Sequence, residues 1–183
     1  MKHFIITGKK HAGKTQFSDN LREILALYGI SIGGFLCTGT FKNGQRDSFF
    51  IKSLIDNKVE LFADKNENNN NNNLSFGSFT FYKKGFLFAK NEYEKSILLK
   101  RNVIFIDEIG RWEIEGGGFR ELFNKMPVFS SIAAVCRIDF ADEINSLFFN
   151  NLADIININD DILQCAEKIK NQSKGYMHYD KIK

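Results

Sequence analysis

Proline is almost absent: Pro127 is the single one in 183 residues. That excludes Pro-rich linkers and leaves no composition break at which to divide the chain. Cysteine is scarce as well. Cys37, Cys136 and Cys165 are odd in number, far apart and set among apolar residues, with no C-x-x-C spacing. They read as buried, reduced core thiols, and a reducing cytoplasm follows as the expected compartment. The two N-x-S matches, Asn73-Leu74-Ser75 and Asn171-Gln172-Ser173, are then chance. Long apolar runs are missing, since nothing approaches the ~20 residues of a membrane helix. No cleavable signal is visible either, because Met1-Lys2-His3-Phe4 runs straight into a strand pattern. Excess charge is missing too. Lys and Arg number 25 against 22 Asp and Glu, a formal net charge of +3, which gives no reason to expect nucleic acid or an anionic membrane as a partner. His3, His11 and His178 lack metal spacing and are assigned nothing.

What is present is an ordinary globular composition, 43% hydrophobic and 26% charged, long enough for one domain over 1–183 with a proper core. One segment stands apart. Lys65 to Asn73, "KNENNNNNN", cannot bury apolar surface and is expected to be a disordered surface loop within the domain. Around it apolar runs alternate with helical patterns. Strands are expected at 3–7, 32–38, 47–55, 59–63, 78–82, 102–107, 128–135 and 154–158, and helices near 14–28, 89–100, 118–125, 140–149 and 161–172. Asn43-Gly44 signals a hairpin, because both residues tolerate the positive φ of a type I′ turn. Val103-Ile104-Phe105-Ile106 and Ile132-Ala133-Ala134-Val135 are unbroken apolar runs, as central strands covered on both faces require. The expected fold is α/β, with a mostly parallel sheet and an inserted antiparallel hairpin region.

The chemistry starts at the first strand-to-helix turn. Gly8-Lys9-Lys10-His11-Ala12-Gly13-Lys14-Thr15 fits G-x-x-x-x-G-K-[ST], the phosphate-binding loop. Glycines let the chain curl so that successive N–H groups face one concavity, and the new helix adds its positive end. In such a loop Lys14 reaches the β- and γ-phosphates and the Thr15 hydroxyl ligates Mg²⁺. Gly8 through Gln16 are therefore the candidate nucleotide-binding residues. Lys9, Lys10 and His11 hold its variable positions and are either solvated or an aid to capturing an anion. A second carboxylate belongs with this loop, and "NVIFIDEIGRWEIE" supplies it. Asp107 ends an apolar strand as a candidate metal-side carboxylate. Glu108 points the other way, where it would polarise a water for attack on the γ-phosphate.

At "DEIGRWEIEGGGF" the chain resembles the DEIG-[KR]-x-E signature of the small P-loop nucleoside-triphosphatases first described from thermophiles. "GGFLCTGTFKNGQRDSFFI" is similar to that family's second block, a Gly-Phe-x-Thr strand followed by a hairpin and a G-x-R element. The likeness runs from Phe4 to about Val135. It implies a three-layer P-loop sandwich and hydrolysis of nucleoside triphosphates with Mg²⁺, without strong preference among ATP, GTP and other bases. It also implies a basic residue with a role at Arg111, placed to act as an arginine finger in cis or, failing that, paired with Glu113 or Glu115 on the surface. The chain departs from the family's pattern at Lys9, Lys10 and His11, at Gln16 and at Gly116, positions that bear on substrate preference.

Arg137, after the apolar run 132–135, is a further candidate for phosphate or base contact. Phe35, Arg46 and Phe49 are hairpin residues that are either core or an apolar clamp for the base. Asp139, Asp142 and Glu143 suit a helix N-terminus. A soluble, monomeric, Mg²⁺-dependent nucleoside-triphosphatase with catalytic Glu108, Lys14 and Arg111 and metal ligands Thr15 and Asp107 is the leading reading. A nucleotide or small-molecule kinase is the first rival, and a non-catalytic nucleotide switch or RNA-associated adaptor the second.

Overall fold

The computed structural model describes residues 1–65 and 73–173. The expectation of a disordered loop over Lys65 to Asn73 falls largely on 66–72, outside those residues, and at its end Asn73 belongs instead to a strand, paired with Tyr82. The strands are β1 (Phe4–Gly8), β2 (Ile32–Lys42), β3 (Gln45–Ser53), β4 (Val59–Asp64), β5 (Asn73–Phe76), β6 (Phe79–Tyr82), β7 (Val103–Ile109), β8 (Ser131–Arg137) and β9 (Asp154–Asn157). They form one sheet in the order β5-β6-β4-β3-β2-β7-β8-β1-β9. From β2 to β9 all neighbours run parallel. From β2 to β5 all run antiparallel. The hairpin region thus continues the sheet that carries the Gly8–Thr15 loop, with β2 as the shared strand.

The helices are α1 (Lys14–Leu27), α2 (Lys83–Leu98), the one-turn α3 (Arg111–Ile114), α4 (Ala141–Phe149) and α5 (Ile162–Ser173). Alternation along the strands sorts the core into two layers. Phe4 and Ile6 of β1 pack with Val103, Phe105, Leu21 and Leu25 of α1 and Ala166 and Ile169 of α5. Ile5 faces the opposite layer, with Ile104, Ile106, Ala89 and Tyr93 of α2 and Ile144 of α4. Both faces of the central strands are covered, which is why β1, β7 and β8 read as unbroken apolar runs. Asn43 and Gly44 turn the β2–β3 hairpin with φ of 50° and 74°, as the type I′ signal requires.

Several boundaries differ from the sequence reading. α2 begins at Lys83, not 89, and Tyr82 precedes it with no side-chain cap, so the usual start signal was missing. Gly85 lies in that helix because a Cβ there would come within 2.8 Å of the Phe62 backbone. It permits close packing instead of marking a loop. Residues 118–125 contain a 3-10 turn, Arg120–Asn124, in place of an α-helix. β8 starts at Ser131, three residues after the expected 128. β5 and α3, four residues each, are additions to the expected elements.

Candidate active site

β1 delivers the chain into the loop at Gly8, and Gly13 ends it in a left-handed conformation, φ 88°, which a glycine adopts without steric cost. α1 starts at the next residue. It has no side-chain N-cap and no acidic residue in its first turn, so its N–H groups and positive end face outward uncompensated. Lys9, Lys10, His11, Ala12, Gly13 and Gln16 are exposed, and Lys14 and Thr15 half-buried. The Lys14 ammonium donates to the Lys9 carbonyl at 3.0 Å and spans the loop from inside. Gln16 turns away along the helix and donates to Asn20 at 2.9 Å.

Asp107 is 1% exposed and fully engaged. Its Oδ2 accepts the Thr15 hydroxyl at 2.9 Å and the Cys37 N–H at 3.0 Å, and its Oδ1 accepts the Glu108 N–H at 2.8 Å. Burial, with the Glu108 charge second, pushes its carboxyl well above the ordinary range. A cation at the Thr15–Asp107 edge would relieve that cost. The backbone explains why the two neighbouring acids differ. β7 pairs with β8 regularly to Ile106–Ala134, then slips so that Ile109 meets Cys136. Glu108, at the slip, has φ 62°. A one-residue bulge with a left-handed residue re-aims a side chain, so Asp107 stays in the sheet while Glu108 stands out, its side chain 44% exposed.

The turn after β7 is organised by Glu113, which is 3% exposed. Its carboxylate accepts the N–H groups of Gly110 and Phe119 at 2.8 and 2.9 Å, and burial outweighs those donors and pushes it up to about 7. Arg120 closes the same turn by donating to the carbonyls of Glu113 and Ile114. Arg111, by contrast, is 69% exposed in its side chain and lies 3.5 Å from Glu115, the i,i+4 partner on its own turn. Trp112 stacks on Phe76 at 5.0 Å and meets Phe81 and Phe86 edge-on.

The structure therefore brings Lys14, Thr15, Asp107 and Glu108 to one edge of the sheet. Arg137 pairs in register with Gly8, and its guanidinium lies 4.5 Å over Phe140. Phe35 is fully buried core. Asp142 and Glu143 stand in the first turn of α4. All three cysteines are buried and free. Among the described residues no group of three or more His, Cys, Asp or Glu gathers as a metal cage, and no helix is long and apolar enough to cross a membrane. Sequence reasoning missed two features: the Cys37 N–H on Asp107 and the approach of Arg46 to Glu108 at 3.6 Å. Both depend on β2 and β3 lying beside β7, which no local signal reports.

A G-x-x-x-x-G-K-T turn between strand and helix, joined to a buried strand-end carboxylate on this mixed sheet, is the arrangement of a P-loop nucleoside-triphosphatase fold. Residues 3–164 match the family model described as NTPase. The chain is 32% identical over 147 residues to nucleoside-triphosphatase THEP1 of Sulfurisphaera tokodaii, covering 75% of this chain and 79% of that one. It is similar in fold to the human cancer-related nucleoside triphosphatase, with TM-score 0.66, 17% identity, and 96% and 99% of the two chains covered. It is likewise similar to THEP1 of the hyperthermophile Aquifex aeolicus, with TM-score 0.65, 22% identity, and 95% and 99% covered. The chain belongs to this nucleoside-triphosphatase family.

Proposed function

We propose that the protein hydrolyses nucleoside triphosphates to the diphosphate and phosphate in a Mg²⁺-dependent reaction, with broad preference for the base. The observation that carries this is the 2.9 Å contact between Thr15 Oγ1 and Asp107 Oδ2, with Glu108 exposed beside it. Mg²⁺ takes oxygen ligands at ~2.1 Å in octahedral array, so adjacent ligands lie about 3 Å apart, and it uses few protein groups beside phosphate and water. The hydroxyl and carboxylate oxygens fit that donor set. When bound, the ion would neutralise charge developing between the β- and γ-phosphates.

The chain's own groups do the rest. The loop N–H groups from Gly8 to Gln16 and the α1 N-terminus cradle the phosphates. Lys14 leaves the Lys9 carbonyl to meet the β- and γ-oxygens. Glu108 orients a water in line with the γ-phosphorus and accepts its proton as the new P–O bond forms and the bond to the β-phosphate oxygen breaks. Arg111, one turn beyond, exchanges Glu115 for the charge that develops on the γ-phosphoryl oxygens. These contacts address phosphates and backbone and read no base edge, which supports the broad preference. The free thiols suit a reducing cytoplasm, and none of these roles requires a second copy of the chain.

The test is phosphate release from ATP, GTP, CTP, UTP and ITP, with and without Mg²⁺. Hydrolysis of several triphosphates only when Mg²⁺ is present is expected. Phosphate passing to an added acceptor instead of water would move the reading to a kinase, and tight binding without turnover to a nucleotide switch.

A further inference from the structure

A general base must be held to within a fraction of an ångström, yet Glu108 is an exposed glutamate with three side-chain torsions, on a bulge that fixes only its backbone. Something has to hold the carboxylate. The charged group that the described residues bring to it is Arg46, whose Nη1 lies 3.6 Å from Glu108 Oε1. Arg46 comes from β3, on the antiparallel side of the sheet.

Arg46 is itself tightly held. Its guanidinium carbon lies 4.7 Å from the centre of the Phe49 ring and 5.3 Å from that of Phe41, within range of both π-faces. Gly39 gives it room, since a Cβ there would stand 3.1 Å from Nη1 and 2.8 Å from the Ser48 carbonyl. Its Nε and Nη1 are buried and donate no hydrogen bond. A cation with two buried, idle donors is costly, and an apolar side chain would lie against the same two phenylalanines without that cost. A half-exposed ion pair contributes little to stability, so folding does not explain the arrangement. What the arrangement does supply is orientation: a planar cation, clamped by two rings, facing the one carboxylate that needs aiming.

We propose that Arg46 is a positioning residue that holds the Glu108 carboxylate for attack by water, a role that rests on the reading of Glu108 as the base. It works through Glu108 and not through the nucleotide. The Phe41–Phe49 clamp is accordingly the support of the catalytic carboxylate.

The test is a double-mutant cycle in the full chain, with kcat and nucleotide affinity measured separately. Arg46→Met keeps the stacked volume and removes the charge. It is expected to lower kcat by about 10–100-fold, the scale of loss from a misplaced reacting group, with affinity unchanged and the melting temperature no lower. Glu108→Gln alone is expected to lower kcat by about 10²–10⁴-fold. In the Glu108→Gln background, Arg46→Met should then cost less than about threefold more, because the group it serves is already gone. Arg46→Lys should retain an intermediate kcat, since an ammonium can sit on the same rings. Losses that multiply in the double mutant, or a loss in affinity equal to that in kcat, would overturn the proposal and place Arg46 on the nucleotide directly. Normal turnover by Arg46→Met beside a crippled Glu108→Gln would also overturn it, and would leave Glu108 as the base. Normal turnover by Glu108→Gln would remove the base assignment itself, and this proposal with it.

Discussion

The two halves of the sheet are built from different material. In the parallel half, Ile5, Ile6, Ile104, Ile106, Ala133, Ala134 and Val135 are wholly buried aliphatic or small side chains. The antiparallel half adds to such residues, Ile51 and Ala63 among them, a set of ring contacts: Phe49 on Phe79, Phe62 on Phe81, Phe86 and Phe119, and Trp112 on Phe76 and Phe81. The first half fixes its functional groups through backbone. Its strand ends place the Gly8–Thr15 loop and Asp107 by register, which burial of the strand faces specifies strongly. The second half fixes groups through side chains, since Arg46 is clamped by rings and Trp112 is boxed by them. The proposed phosphate contacts thus rest on the parallel half, and the proposed support of Glu108 on the aromatic one.

The largest test of that contrast is Lys14→Ala on the parallel side. The loop would face ~3–4 negative charges without its point charge, and one lost charged contact of up to about 3 kcal/mol weakens binding on the order of 10²-fold. Titration with Mg-nucleotide checks it, and wild-type affinity would refute the loop's role. Next is Arg111, at the junction of the halves. Arg111→Ala is expected to lower kcat at least about tenfold with little change in affinity, and Arg111→Lys to recover part of it. An alanine variant with normal kcat would leave Arg111 as the surface partner of Glu115.

Smaller effects belong to the aromatic half. Glu113→Ala leaves the buried N–H groups of Gly110 and Phe119 unpaired, and a destabilisation of about 2–4 kcal/mol is expected from denaturant unfolding. The raised Glu113 carboxyl also has a pH signature. Between its ordinary value of 4.5 and about 7 the native state keeps a proton that the unfolded state has released, so stability falls as pH rises through that window. The fall is on the order of 1–3 kcal/mol, with Asp107 acting in the same direction, and unfolding midpoints at pH 5 and 7.5 in wild type and Glu113→Gln measure it. A flat wild-type profile would remove this account of the turn. The smallest expected effect is optical. Trp112 is the single tryptophan and lies on the turn that carries Arg111, so saturating Mg-nucleotide should change its fluorescence. A spectrum that does not move would show that the ring box isolates this turn from the ligand.

The sequence by itself determined the elements whose reasons are local. The loop from Gly8 to Thr15, the buried runs of β1, β7 and β8, the Asn43-Gly44 turn and the succession of Asp107 and Glu108 are each written in neighbouring residues, because glycine freedom, side-chain branching and periodicity act over a few positions. The start of α2 at Lys83 was not legible, and neither were β5 and α3, whose few residues carry no start, stop or alternation of their own. What only the tertiary structure decided concerns partners far apart in the chain. Strand order set β2 beside β7 and so gave Asp107 the Cys37 N–H. A slip in β7–β8 pairing sent Glu108 outward, and the returning β3 strand brought Arg46 to meet it. Such meetings depend on how strands associate across long chain separations, which the burial of whole faces decides, and a local run of residues carries no record of that choice.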